Sequence, residues 1–562
     1  MRMSTDSDRD EALARETIAA ALAASVNVFD TAHAYGQGGA ELGHNERLLA
    51  GALRGAGAER TARIVTKGGM TRTRGAWLPD GRAKALQQDC EASLAALDGL
   101  PIDLYLIHAP DPRTPWRTSV RALARLLDQR LVRHVGLSNV NRRQLDEALD
   151  LIPVTAVQIA LSIHDDRALR GGIVERCADL GIAVIAHSPL GGPRRAGGLR
   201  RRGALAAIAR NLGATPAEVA LAWLLDLSPV VIAIPGARRP ETARSAARAA
   251  ALVLDPGTRD ALGGVRPAAR ERRARAKPGD VVVVMGIPGA GKTRIAEEYV
   301  ARGYVRLNRD ERGGALTELA GALDAELSSG VRHVVLDNTY LTRAARSHVI
   351  DAVTGHGIAT RCVWIDTPLA TAQVNLVERM LVQFGALPAP DELRALARRH
   401  PGVLAPTSQM RTARELEPPS IDEGFAGVEK IEFVRHHGAG RERAGVFVAA
   451  RATERTAFVL ALEQGDRRAP HLLFDWSPGG SPEALGPALE RLAAVIDGPA
   501  EAALCPHAGG PPVCWCRPPL PGLPLVFARA HDLDPARSLL IGTGPAHRNL
   551  AVALGARYVE VA

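Results

Sequence analysis

The sequence predicts an α/β protein in three parts: a (β/α)8 TIM barrel whose first strand is missing, an α/β domain built on a phosphate loop, and a small α/β domain. Three observations lead there. Residues 1–268 alternate short apolar runs with helical patterns, the signature of repeated βα units. An unbroken apolar run, Val281–Met285, then turns through glycines into a helix. From about residue 445 the chain is less regular and rich in Gly and Pro. The boundaries read 1–268, a charged, Pro-bearing linker at 269–280, 281–436, and 445–562.

In the first part, seven runs qualify as strands: VNVFDTA, ARIVTKG, IDLYLIHA, VRHVGLSN, AVQIALS, IAVIAHSPL and VVIAIPG. Only the eight residues Met1–Asp8 precede the segment RDEALARETIAAALAA, where a barrel would place its first helix, so the first strand has no counterpart. In such barrels the reacting groups stand at the C-terminal strand ends. Asp30, Tyr35, Lys67 and His108 occupy those positions.

The motifs FDTAHAYGQGGAE, IVTKGG, DLYLIHAPDP, VGLSN, AHSPLGG and IPGARRPE resemble those of the aldo-keto reductases over nearly the whole of 1–268. The resemblance implies Tyr35 as proton donor to a small carbonyl substrate, its pKa lowered by Lys67, which Asp30 pairs, with His108 orienting the substrate oxygen. It also implies NADPH held by Ser138, Asn139, Gln158, Ser188 and Leu190, with Arg238 or Arg239 near the 2′-phosphate. The segment IPGARRPETARSAARAA departs from the family in lacking the Glu-Asn pair that usually holds the adenine.

In the second part, GIPGAGKT has the G-x4-G-K-T spacing of a phosphate-binding loop. Gly286, Gly289 and Gly291 let backbone N–H groups close on phosphate oxygens, and the helix that follows adds positive potential. Lys292 reaches the β/γ-phosphates of ATP or another nucleoside triphosphate, and the Thr293 hydroxyl suits Mg2+. The later stretches GYVRLNRDERGG, VRHVVLDNTY, ATAQVNLVERM and ELEPPSIDEGF resemble the kinase domain of polynucleotide kinase/phosphatases. That resemblance implies Asp310 as the base toward an RNA or DNA 5′-hydroxyl end and Arg379 as a lid arginine. Asp337 and Asn338 would form a site wall, and Arg343 and Arg346 would meet acceptor phosphates. Viral-type relatives carry an arginine three residues after the base, where this chain has Gly313.

In the third part, CPHAGGPPVCWC supplies Cys505, His507, Cys514 and Cys516, two tight pairs of ligands for tetrahedral Zn2+. LLFDWSPGG, CRPPLPG and SLLIGTGPAHRNLAVALGARYV resemble haloacid-dehalogenase-type (HAD-like) phosphatases with a zinc loop. Of that family's catalytic pattern only Asp475 survives as the nucleophile. Ser477, Pro518, Thr543 and His547 replace the other members, which implies a catalytically dead fold.

Composition narrows the context. No apolar run approaches a membrane span, the charged N-terminus is no secretory signal, and six cysteines in 562 residues suit a reducing cytoplasm. The net charge of +9 gives weak support to a polyanionic partner. The leading expectation is a polynucleotide 5′-hydroxyl kinase fused to a reductase-like barrel. The alternative is an NADPH-dependent carbonyl reductase with an ATP-binding regulatory module.

Overall fold

The computed structural model describes residues 2–73, 76–192, 198–199, 203–262, 278–400, 402–433 and 442–561. The chain divides into two compact units, Met1–Glu271 and Arg272–Ala562. Most of the predicted linker, together with the junction at 434–441, lies outside the described residues.

All seven predicted strands of the first unit form, as β1 (Val28–Asp30), β2 (Arg63–Gly68), β5 (Leu104–Ile107), β6 (His134–Ser138), β7 (Val154–Ala160), β8 (Ala183–His187) and β9 (Val231–Ala233). They pair in parallel in that order. Four-residue β5 is buried at every position, as a strand covered on both faces must be. Among the described residues β9 does not pair with β1, so the barrel stays open by one strand. The helices Glu11–Ala23 and Pro240–Arg248 pack on each other and, with β1 and β9, line the cavity at this seam. A hairpin the sequence reading did not anticipate, β3 (Met70–Thr73) with β4 (Ala76–Pro79), follows β2.

The second unit contains two parallel five-stranded sheets. One holds β10 (Asp280–Met285), β11 (Val305–Leu307), β12 (His333–Asp337), β13 (Ala359–Asp366) and β14 (Gly427–Glu432), in the order β11-β12-β10-β13-β14. The all-valine core of β10 is fully buried at the centre of that sheet. The other holds β15 (Val446–Ala449), β16 (His471–Trp476), β17 (Ala500–Cys505), β18 (Leu539–Gly542) and β19 (Arg557–Glu560), in the order β17-β16-β15-β18-β19. The two sheets share a core. Val374, Val377 and Leu381 of helix Leu369–Phe384 are buried in one cluster with Phe447, Phe474 and Trp515. No described helix is long and apolar enough to cross a membrane.

Candidate functional site

In the barrel, parallel strands deliver their last residues to one rim. Asp30 ends β1, Lys67 lies near the end of β2, and His108 follows β5. The Lys67 ammonium is fully enclosed and donates to Asp30 Oδ1 at 2.7 Å, to the Thr31 carbonyl at 2.6 Å and toward the Tyr35 hydroxyl at 3.3 Å. Burial alone would discharge it, but Asp30 beside it keeps its pKa above the ordinary lysine value. Gln158 Nε2 donates to the second Asp30 oxygen at 2.6 Å and fixes the carboxylate.

Two pKa findings refine the expectation. Burial outweighs the Lys67 charge at Tyr35, so its pKa is raised rather than lowered and the hydroxyl is fully protonated at neutral pH. Burial, helped by Lys67, pushes His108 down to about 3, so it is a neutral imidazole. His108 Nδ1 is buried with no protein partner. Such an orphan fits a site completed by a ligand oxygen.

A cavity of about 700 Å3 opens on this cluster. Its walls include Ser138, Asn139, Gln158, Ser188 and Leu190, so the residues expected to hold a cofactor converge on one cavity. Asn139 and Ser188, which follow β6 and β8, adopt left-handed φ values of 56° and 51°, a strained geometry for non-glycine residues. Arg238 and Arg239 do not line this cavity. Arg238 is instead paired with Asp6 at 3.2 Å and Asp8 at 3.1 Å, and Arg239 is the exposed N-cap of helix Pro240–Arg248.

The phosphate loop follows β10 and enters helix Lys292–Val300. Gly289 and Gly291 have φ values of 86° and 91°. A Cβ on Gly289 would meet the Ala372 carbonyl oxygen at 2.4 Å, so glycine is required there. Lys292 folds back to donate to the Gly286 and Ile287 carbonyls at 3.1 Å each. Desolvation pushes its pKa down to about 8, with Asp337 opposing and Arg379 assisting. Thr293 is exposed.

Asp310 is about half exposed (48%) and near enough to affect both Lys292 and Arg379 electrostatically, so these three residues converge. Asn338 Oδ1 accepts from the Arg309 N–H at 3.2 Å, while its buried Nδ2 has no protein partner. Asp337 is held by Arg306 and Asn308.

Arg346 and Arg343 do not meet an acceptor. Arg346 is fully buried, making a two-pronged pair with Glu423 at 2.7 Å and capping the Tyr340 and Glu417 carbonyls. Arg343 is engaged by Asp422 at 2.8 Å. Both arginines brace the helix Arg343–Thr354 against the ELEPPSIDEGF tail.

A profile of the aldo/keto reductase family matches residues 2–262, and one for an AAA domain matches residues 281–399. An uncharacterized oxidoreductase of Schizosaccharomyces pombe is 32% identical over 260 residues, 45% of this chain and 80% of that protein. The chain belongs to the aldo/keto reductase family. The aldo-keto reductase str7 of Strobilurus tenacellus is 29% identical over 296 residues, 48% of this chain and 83% of that protein. A solved structure of the thermostable aldo-keto reductase Tm1743 with the inhibitor epalrestat is 32% identical and covers 46% of this chain and 89% of its own, at a TM-score of 0.39. The protein therefore joins an aldo/keto reductase domain to a P-loop-type AAA domain.

Two residues of the reductase site carry no sequence assignment. Trp77, from the unanticipated hairpin, meets Tyr35 and His108 edge-on at 6.0 and 5.9 Å, with the Arg72 guanidinium 4.0 Å over its ring. Its signal is the turn-bracketed GAWLPDG, which carries no strand periodicity. His187 lies inside the AHSPLGG motif; it lines the cavity, and its Nε2 and the Asn139 amide oxygen lie 3.0 Å apart.

In the C-terminal sheet, Cys505, His507, Cys514 and Cys516 present ligand atoms within 4.8 Å of one another. Four of the six separations run from 3.2 Å (Cys516 Sγ to His507 Nδ1) to 3.6 Å (Cys505 Sγ to Cys514 Sγ). A tetrahedron with metal–sulfur bonds of ~2.3 Å has edges of about 3.8 Å, so this donor set fits Zn2+.

Asp475 is misplaced for a nucleophile. The strand order reverses between β15 and β18, and the crevice of such a sheet opens there. Ala449, which ends β15, and Thr543, just after β18, flank that point. Asp475 stands one strand away and accepts the Trp476 N–H at 2.7 Å.

Proposed function

We propose that the barrel is an NADPH-dependent carbonyl reductase and that the P-loop domain transfers the γ-phosphoryl group of ATP to an acceptor hydroxyl. The single observation behind the first activity is the Asp30–Lys67–Tyr35–His108 cluster on a 700 Å3 cavity. NADPH, when bound along Ser138, Asn139, Gln158, Ser188 and Leu190, supplies the hydride.

The chain's own residues do the rest. Neutral His108 and the Tyr35 hydroxyl orient the carbonyl oxygen. As negative charge develops on that oxygen, Tyr35 gives it a proton. Lys67, held charged by Asp30, stabilises the phenolate left behind. Trp77 covers the rings and helps exclude water.

At the second site, Asp310 takes the acceptor proton while Lys292 and Arg379 hold the transferring phosphoryl group; Thr293 would hold a Mg2+ ion, which would supply charge neutralisation. The acceptor class we propose is a 5′-hydroxyl end of RNA or DNA. The motif resemblance supports it, and Arg309 and Arg312, 44% and 46% exposed, each make one long surface ion pair, to Asp310 at 3.7 Å and Glu326 at 3.5 Å, that an acceptor phosphate can replace. The cysteine cluster is proposed to hold a structural Zn2+ in a phosphatase-derived fold without a catalytic set.

The tests are direct. NADPH oxidation across a panel of aldehydes and ketones should proceed with the wild type and stop with Tyr35→Phe. Labelled phosphate should pass from ATP to a 5′-hydroxyl oligonucleotide and fail to do so with Asp310→Ala. Transfer to small-molecule alcohols alone would reject the polynucleotide assignment and leave the phosphotransferase reading intact.

A further inference from the structure

The cysteine cluster lies in the C-terminal sheet, yet its middle residue reaches into the P-loop domain. Trp515, between ligands Cys514 and Cys516, is 2% exposed. Its indole N–H donates to the Leu404 carbonyl at 3.0 Å. Its ring belongs to the cluster that contains Val374, Val377 and Leu381 of helix Leu369–Phe384. Two residues before Leu404, the Gly402 carbonyl accepts from the Arg379 guanidinium. Five residues after it, Gln409, fully buried, donates its Nε2 to the Pro288 carbonyl of the phosphate loop at 2.9 Å. The same helix sends Asn375 Nδ2 to the Gly289 carbonyl at 2.8 Å. One short segment, 402–409, thus ties together the tryptophan of the cysteine loop, the lid arginine and the phosphate loop.

The junction is tight at its other end too. The Gly522 N–H donates to the Trp515 carbonyl at 3.0 Å. A Cβ at Gly522 would fall 2.5 Å from that oxygen and 2.7 Å from Leu387 Cδ1, just beyond helix Leu369–Phe384. Two covalent neighbours of Trp515 are metal ligands, so the metal fixes the backbone that aims the indole. Closely packed side chains shift between discrete positions and do not deform smoothly, so a displaced indole would move the 402–409 segment with it.

We infer that metal loading of Cys505, His507, Cys514 and Cys516 sets the position of Arg379 and the phosphate loop, with Trp515 as the positioning residue that carries the coupling. The inference rests on the reading of the P-loop as an ATP site. It makes Zn2+ and nucleotide binding mutually dependent, and linkage requires the dependence to be reciprocal.

The test measures both directions on the full chain. Zn2+ affinity is determined by competition with a chromogenic chelator, with and without a non-hydrolysable ATP analogue and Mg2+. Affinity for that analogue is determined with zinc-loaded and chelator-stripped protein. Each ligand should tighten the other by about tenfold in the wild type. In Trp515→Phe, which keeps an aromatic ring and loses the N–H, the factor should fall toward one while both ligands still bind.

Binding of both ligands without mutual effect overturns the inference and leaves the P-loop reading standing. Coupling that is unchanged in Trp515→Phe overturns the role of Trp515. Failure to bind Zn2+ also overturns the inference. Failure of the analogue to bind under any condition overturns the P-loop reading, and the inference with it.

Discussion

Lys67 is the residue on which the reductase site turns: an ammonium with no exposed surface, charged because Asp30 is 2.7 Å away. Lys67→Met should lower kcat for carbonyl reduction by about 10²–10⁴-fold. NADPH affinity, read from fluorescence titration, should change little, because no cofactor contact is assigned to Lys67. Equal losses in binding and turnover would instead mean that the substitution has collapsed the pocket. His108 adds a pH dependence. Its pKa is about 3 in the folded state against about 6.5 in the unfolded chain. Between those values the unfolded chain binds the extra proton, so stability is lost as pH falls below about 6.5. At pH 5 the deficit from this one group is about 2 kcal/mol. Urea unfolding at pH 7.5 and pH 5 should show a smaller loss in His108→Gln than in the wild type; identical losses would refute the assignment.

Arg346 shows how an element changes the meaning of a residue. By sequence it stands beside motifs that resemble those of polynucleotide kinases and is a reasonable phosphate contact. Helix Arg343–Thr354 turns it inward, where Glu423 takes the Nε–Nη2 edge of the guanidinium and backbone carbonyls take Nη1. Arg346→Met should therefore cost the P-loop domain about 3–5 kcal/mol of stability, by stranding a buried carboxylate. Arg309→Ala, on the rim, should leave thermal stability nearly unchanged and weaken polynucleotide transfer. Reversed outcomes would restore Arg346 as a substrate contact. The β3–β4 hairpin gives the converse lesson. Four-residue strands with a mixed burial pattern leave no periodic trace, so Trp77 emerges only when the hairpin folds over Tyr35 and His108.

The whole chain contains two compact units, and the shared core around Trp515 joins the P-loop sheet to the C-terminal sheet. Calorimetry should resolve two transitions, one for each unit. NADPH at 100 times its Kd should stabilise only the first, by about 2.7 kcal/mol, and ATP with Mg2+ only the second. A third transition, moved by neither nucleotide, would mean that the C-terminal sheet unfolds alone and that the shared core is weak.

The sequence by itself determined the strands of the open barrel, the phosphate loop, the reductase tetrad and the four metal-type ligands. Each of these is written in local patterning: apolar runs, glycines at required turns, and reacting groups at strand ends. Only the tertiary structure decided what depends on distant partners. Burial raises the Tyr35 pKa against the pull of Lys67, and Glu423 removes Arg346 from the surface. Strand order puts Asp475 beside the crevice of its sheet and not in it, and Asp6 and Asp8 occupy Arg238. Desolvation and pairing depend on groups tens to hundreds of residues away, and a linear motif records the side chain without recording what will surround it.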